Sequence, residues 1–264
     1  MMLIQATGLR TAGKTKLLLA AVMAAGAAFA FSSTSAKASI IFQDNFPGSS
    51  TSPLAGTTPA TTTGGAKWTE IAGSTTSFNA DGSISNSTTT PVQGGDYLSY
   101  SVTSGYVYTL SATLNPSFQG TSGLGYVGIE FGNAIPTLQN GPAFLMHYGT
   151  STTGNLQAFA SKGNAVNLSS ATVTSNETAQ IVLDTTSTLW TASFIYDGVT
   201  LGTYNYTTNP GGNSLDVAIV GKSKDFTGNV GSFELTQTAV PEPASIGLFG
   251  LGAVGLLLAR RKRA

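Results

Sequence analysis

The span 39–239 predicts an all-β fold, an antiparallel jelly-roll-type β-sandwich, with an N-terminal signal helix and a C-terminal single transmembrane helix outside it. Three observations carry the prediction. The chain holds 32 glycines among abundant Ser, Thr and Asn, a turn-rich composition. No window shows the 3.6-residue spacing of an amphipathic helix, whereas alternation with period two recurs. An Asp-Gly pair between two β-rich runs marks a tight hairpin. No repeat of fixed period is visible, which excludes solenoids and propellers.

In chain order, Ser39–Gln43 reads as the first strand and a second lies around Trp68. Between them, 51–65 (TSPLAGTTPATTTGG) is low in complexity and broken by Pro and Gly, and predicts a long exposed loop. Leu98, Tyr100 and Val102 alternate with hydroxyl residues. The clearest strand follows, with Tyr106, Tyr108, Leu110, Ala112 and Leu114 on one face and Thr109, Ser111 and Thr113 on the other. Asn115-Pro116 is expected to end it. Leu124–Phe131, Ala143–Tyr148, Leu156–Ala160, Ala179–Asp184 and Leu215–Val220 read as further strands. A type I′ turn at Asp197-Gly198 pairs Tyr196 with Val199, Phe194 with Leu201 and Trp190 with Asn205. That register puts Trp190, Ala192, Phe194, Tyr196, Val199 and Leu201 on the core side.

The first thirty-eight residues are targeting sequence. Arg10, Lys14 and Lys16 precede the apolar run Leu17–Phe31, and Ala36-Lys37-Ala38 fits small-x-small cleavage, so the mature chain begins at Ser39. The formal net charge of zero conceals an asymmetry, because eight of the twelve Lys and Arg residues lie in the two ends. In 39–239 four lysines face eleven carboxylates, a formal charge of −7. An acidic surface argues against nucleic acid. Without cysteine there are no disulfides, no thiolate metal site and no cysteine nucleophile.

The last stretch, 240–264, has three parts. Val240-Pro241-Glu242-Pro243, followed by Ala244 and Ser245, is a rigid extended element, since its prolines fix φ and remove donors. The apolar run from about Ala244 to Ala259 would be roughly 24 Å long as a helix, against a hydrocarbon core of about 30 Å. Arg260, Arg261, Lys262 and Arg263 form a basic end expected on the cytoplasmic side, which leaves the rest of the chain outside.

The order V-P-E-P-A-S, apolar segment, Arg-rich terminus resembles the bacterial PEP-CTERM sorting signal. The resemblance implies that Pro241, Glu242 and Pro243 are a recognition box for an exosortase, a membrane cysteine peptidase that removes the tail. It also implies export by the general secretion machinery and transient anchoring in the inner membrane. The expected destination is the cell envelope, outer surface or extracellular matrix of a Gram-negative-type bacterium that makes exopolysaccharide. The body resembles concanavalin-A-like, laminin-G-like jelly rolls through Phe42-Gln43-Asp44-Asn45-Phe46, the Trp190…Asp197-Gly198…Leu201-Gly202 hairpin and Gly231-Ser232-Phe233-Glu234-Leu235. That likeness implies that the first and last strands are neighbours, with the tail beside Ser39.

Catalytic chemistry is sparse. A glycosidase needs two carboxylates across one sugar, yet Glu70, Glu130, Glu177 and Glu234 stand apart, and Glu130 has no acidic residue at i±2. His147 is the single histidine and no G-x-S-x-G elbow accompanies it. Its position in a strand predicts a half-buried imidazole bonded to a neighbour. Asp81 and Asp96, in Asn79-Ala80-Asp81-Gly82-Ser83 and Gly94-Gly95-Asp96, are the candidate calcium ligands, and no other cofactor is expected. Tyr204 and Tyr206 fall opposite the core face of their strand and are the candidate exposed rings for a ligand. The expected function is a non-catalytic structural or adhesive role associated with exopolysaccharide. The alternatives are a carbohydrate-binding, lectin-like module and, last, a glycoside hydrolase.

Overall fold

The computed structural model describes residues 36–74, 76–84, 93–118, 125–132, 141–147, 155–171, 173, 176–210, 215–222 and 226–240. Their β-branched and aromatic residues alternate with polar ones, and the chain pairs them into two seven-stranded antiparallel sheets. The first sheet runs β12 (Val199–Asn205), β11 (Thr191–Tyr196), β10 (Glu177–Asp184), β5 (Tyr106–Phe118), β14 (Phe226–Ala239), β1 (Ala38–Asp44) and β2 (Thr61–Thr62). The second runs β3 (Thr69–Glu70), β4 (Gln93–Leu98), β13 (Asp216–Lys222), β6 (Tyr126–Gly132), β7 (Ala143–His147), β8 (Asn155–Ser161) and β9 (Asn164–Val166). The architecture is all-β and jelly-roll-like, with no helix among the described residues. Both terminal helices expected from the sequence fall outside those residues.

The core sits between the sheets. In the first sheet, Leu235, Leu110, Ile181 and Phe194 lie side by side across β14, β5, β10 and β11, and all four are buried. In the second, Ile219, Ile129, Phe144 and Ala158 do the same. The layers meet where Phe144 and Phe194 approach edge to face, ring centroids 5.8 Å apart, a geometry aromatic pairs favour. Lys37–Val240 forms one compact unit.

Bulges set which residues reach this core. At Gly231 the register of β14 slips, so Val230 before it and Phe233 and Leu235 after it all point inward despite their odd spacing. The Asp197-Gly198 turn has φ of 45° and 74°, the doubly positive pattern of type I′, and Tyr196 pairs with Val199 as expected. A bulge then intervenes, so that Phe194 faces Gly202 and Thr191 faces Asn205, in place of the expected Phe194–Leu201 and Trp190–Asn205 pairs. Leu201, the extra residue, still reaches the core, but Val199 is exposed.

Other expectations change. β5 runs through Asn115-Pro116 to Phe118, with Pro116 opposite Gly228 of β14. Segment 51–65 is not simply an exposed loop. Leu54 is buried, Pro53 bridges Asn79, and β2 adds to β1 through Phe42–Thr62. Trp68 anchors the region: its Nε1 donates to Asp44 Oδ2 at 2.8 Å, and its ring meets Phe233 at 5.0 Å. Asp44 Oδ1 accepts from the Phe46 amide, which holds that residue at φ 49°.

Candidate functional site

Three places bear on function: the joined chain ends, the face of the second sheet turned away from the core, and the buried carboxylates.

At the chain ends, β1 lies antiparallel to β14, with Ala38 opposite Thr238 and Ser39 opposite Gln237. The first and last strands are therefore neighbours. β14 is held on its other side by β5 up to the Thr238–Val107 and Ala239–Tyr106 pairs. Ala36, Ala38 and Ser39, the residues expected at the cleavage site, are exposed, as is Val240. Pro241, Glu242, Pro243, Ala244, Ser245, Arg260, Arg261, Lys262 and Arg263 lie outside the described residues.

The far face of the second sheet follows from cross-strand register. One row reads Tyr97, Ala218, Glu130, Ala143 and Phe159. The next reads Gly95, Val220, Gly128, Leu145 and Gln157, and a third Gln93, Lys222, Tyr126, His147 and Asn155. Ile71, Tyr126, Ala143, Leu145, Ala218 and Val220 make a second apolar cluster here. Among them are polar groups with altered acidity. The rings of Tyr126 and His147 stand 5.1 Å apart. Burial and the charge of Glu130 push the Tyr126 phenol above its usual range. Burial, aided by Lys222, holds His147 below 6.5 against hydrogen bonds with the Gln157 side chain and the Gly125 backbone, so it is neutral near pH 7. Its Nε2 is buried without a hydrogen-bond partner. The half-buried imidazole is as the sequence predicted. The gathering of His147, Tyr126, Gln157 and Lys222 was missed. Its signal was the alternation 126, 128, 130 and 143, 145, 147, which becomes a site only once the strands are in register.

Glu130 is buried on this face. Among the described residues, Asp216 is the acidic side chain diagonal to it by register, since Asp216 faces Gly132 while Glu130 faces Ala218. Asp216 Oδ1 accepts from the Tyr100 amide at 3.2 Å, and burial raises its pKa. It thus ties β13 to the segment after β4.

Asp96 points to the opposite, core side, in the row of Ile219 and Ile129. It is wholly buried; Oδ2 accepts from the Phe78 amide at 3.0 Å, while Oδ1 has no partner. Burial pushes its pKa up to about 6, with Glu70 adding to the rise. Asp81 closes its own turn, Oδ1 accepting from both the amide and the hydroxyl of Ser83. Gly82 there has φ 77°, and a Cβ would sit 2.1 Å from the Val230 carbonyl, so this turn against β14 demands glycine. Among the described residues no three acidic or imidazole groups gather as a metal centre.

The two tyrosines are not the exposed rings expected. Tyr206 is buried and donates its hydroxyl to the Ala160 carbonyl at 2.7 Å. Tyr204 is half-buried and meets Tyr206 edge to face at 5.0 Å. The bulge at Leu201 reverses the alternation, so Gly202 and Tyr204 face Phe194 and Ala192 on the core side, and Tyr206, whose amide donates to the Trp190 carbonyl, follows them inward to join the sheets.

Residues 239–263 match the PEP-CTERM protein-sorting motif. Such a motif marks an exported protein whose C-terminal membrane anchor is removed by an exosortase. No curated protein matches the chain. Among solved structures, it is similar to the Emp47p carbohydrate recognition domain, at 11% identity over 70% of this chain and 92% of that one, TM-score 0.47. An endo-1,3-beta-glucanase from Streptomyces sioyaensis matches at 14% identity over 77% and 97%, TM-score 0.48. A Bacillus subtilis protein with a galectin-like fold matches at 12% over 65% and 90%, TM-score 0.44. These likenesses carry no ligand or activity to this chain, and the sandwich stands on its own two sheets.

Proposed function

We propose that this chain is an exported bacterial surface or matrix protein that acts by binding and packing, and that its specific chemistry is to be an exosortase substrate. One observation carries the reading. The sorting motif starts at residue 239, where the last strand of the β-sandwich ends, so the motif follows the strands of the fold rather than interrupting them. The signal-peptide features before Ser39 and the acidic, cysteine-free body support an extracellular passenger. The polysaccharide matrix is the environment the sorting signal suggests. Replacing Pro241 and Pro243 with alanine is expected to leave an unprocessed, membrane-retained precursor in the native host. A variant of normal mature mass and normal location would refute exosortase processing.

A second reading is a carbohydrate-binding module. It is favoured by the far face of the second sheet, where Tyr97, His147 and Lys222 are half-buried and Gln157 is exposed around the buried Tyr126, gathering rings and hydrogen-bonding groups on one face. Purified Ser39–Ala239 on a glycan array tests it. Silence across neutral and acidic polysaccharides would remove this reading, and release of reducing sugar lost in Glu130→Gln would instead indicate a hydrolase.

A further inference from the structure

The described residues expose four large hydrophobic side chains: Ile40 (45%), Leu189 (50%), Val199 (59%) and Val240 (46%). Their placement is uneven. Val199 begins β12 at the Asp197-Gly198 hairpin. The other three lie at the opposite end of the first sheet. Ile40 is two residues from the start of β1, and Val240 follows the last residue of β14. Leu189 belongs to the connection from Asp184 to Thr191, which register places beside Val107 at the start of β5. The amide of Thr185 donates to the Tyr106 carbonyl, which fixes that connection to the same end. The carboxylate there, Asp184, accepts from the amide and hydroxyl of Thr186 in its own turn.

Both membrane-directed segments leave from this end. The signal peptide would end at Ala38, paired with Thr238, and the sorting motif begins at 239. The tether is short. From Ala239, still hydrogen-bonded in the sheet, four residues (240–243) precede the apolar run. Fully extended they span at most roughly 14 Å. The headgroup layer on each side of the hydrocarbon core is about 5–8 Å thick. An anchored precursor therefore holds this end of the sheet against the bilayer, where exposed apolar side chains are favoured at the interface.

Resting on the sorting reading, we propose that this end of the first sheet, bearing Ile40, Leu189 and Val240, is a membrane-facing surface. It seats the domain on the lipid bilayer while the tail is in place and presents the box at the membrane surface. The partner is the phospholipid headgroup layer. β1 and β11 are four strand spacings apart, roughly 19 Å, so the contacts are broad enough to fix the domain's orientation. Once the tail is removed, the apolar groups left on the domain, Ile40 and Leu189, are too little to keep it there, and the domain leaves.

The chain has no cysteine, so single-site labelling is clean. Full-length precursors carrying Ile40→Cys, Leu189→Cys or Val199→Cys would each be labelled with a small fluorophore. They would then be reconstituted into phosphatidylcholine–phosphatidylglycerol vesicles bearing nitroxide on the headgroups. Positions 40 and 189 are expected to lose about half their emission or more. Position 199 lies roughly 17 Å along the strands from Thr191 at that end and roughly 10 Å beyond the level of Ile40, and is expected to be quenched least. Floating vesicles with equal quenching at 189 and 199, or none at 189, overturn the seating alone. A precursor that does not float with the vesicles overturns the membrane-anchored sorting reading, and the seating with it.

Discussion

Replacing Asp96 with asparagine isolates the cost of one buried carboxylate. Asp96 is wholly buried on the core face of β4, and one of its two oxygens has no partner. Its pKa is raised from 3.8 to about 6. Below pH 3.8 the group is protonated in both states and costs nothing. Between 3.8 and about 6 the unfolded chain ionises while the native chain does not, so stability falls as pH rises. Above about 6 the loss is complete and stays constant. At about 1.36 kcal/mol per unit, the loss is on the order of 3 kcal/mol. Asparagine keeps an acceptor for the Phe78 amide and carries no charge. Its unpartnered amide adds a penalty that does not vary with pH. Urea denaturation of Ser39–Ala239 at half-unit steps from pH 4 to pH 7 would read the difference between the two proteins. The wild-type is expected to lose about 2.4 kcal/mol relative to Asp96→Asn across that range. Parallel stability curves would show that the core around Asp96 solvates the charge, and the reasoning would fail.

Trp68→Phe retains most of the ring but strips the donor from Asp44 Oδ2. Because the acceptor is buried and charged, a loss of about 1.5–3 kcal/mol is expected by thermal or urea unfolding. Phe194→Ala opens the layer contact with Phe144 and should cost about 3–5 kcal/mol. Val199→Ser, on an exposed side chain of the same hairpin, should change stability by less than about 0.5 kcal/mol. His147 should titrate below 6.5 by NMR, and Lys222→Ala should raise its midpoint, since Lys222 disfavours the cation. As its folded pKa is depressed, His147 contributes stability that is present above pH 6.5 and lost as pH falls below it. An unshifted His147 resonance would refute the burial of that ring.

Most of the strands were legible because alternation is local: a half-buried strand writes its two faces into consecutive residues. That is why β5, β10 and β11 were recognised, and why the Asp197-Gly198 turn could be placed to the residue. Three features were not legible in this way. Pro116 was read as a stop, but a proline can continue a strand where its missing donor is not needed by the neighbour. Segment 51–65 looked like loop from its composition, yet long-range pairing with Phe42 and Asn79 gave it a seat. Tyr204 and Tyr206 looked exposed because period two was carried straight through Leu201, where a bulge reverses the faces of β12.

The sorting tail was legible in the sequence alone, since the motif over residues 239–263 is written in consecutive residues. The sequence also determined the fold class, which needs only hydrophobic period and turn chemistry. Tertiary structure alone decided which side chains share a surface. The slip at Gly231 and the alignment of β4, β13 and β6 fix that through registers between residues far apart in the chain, and the bulge at Leu201 adds a local reversal of faces. Register is set by which alignment buries the most apolar area while pairing every backbone group, a property of the assembled sheets rather than of any one segment. By that means Ala38 comes to lie beside Thr238, two hundred residues away in the chain.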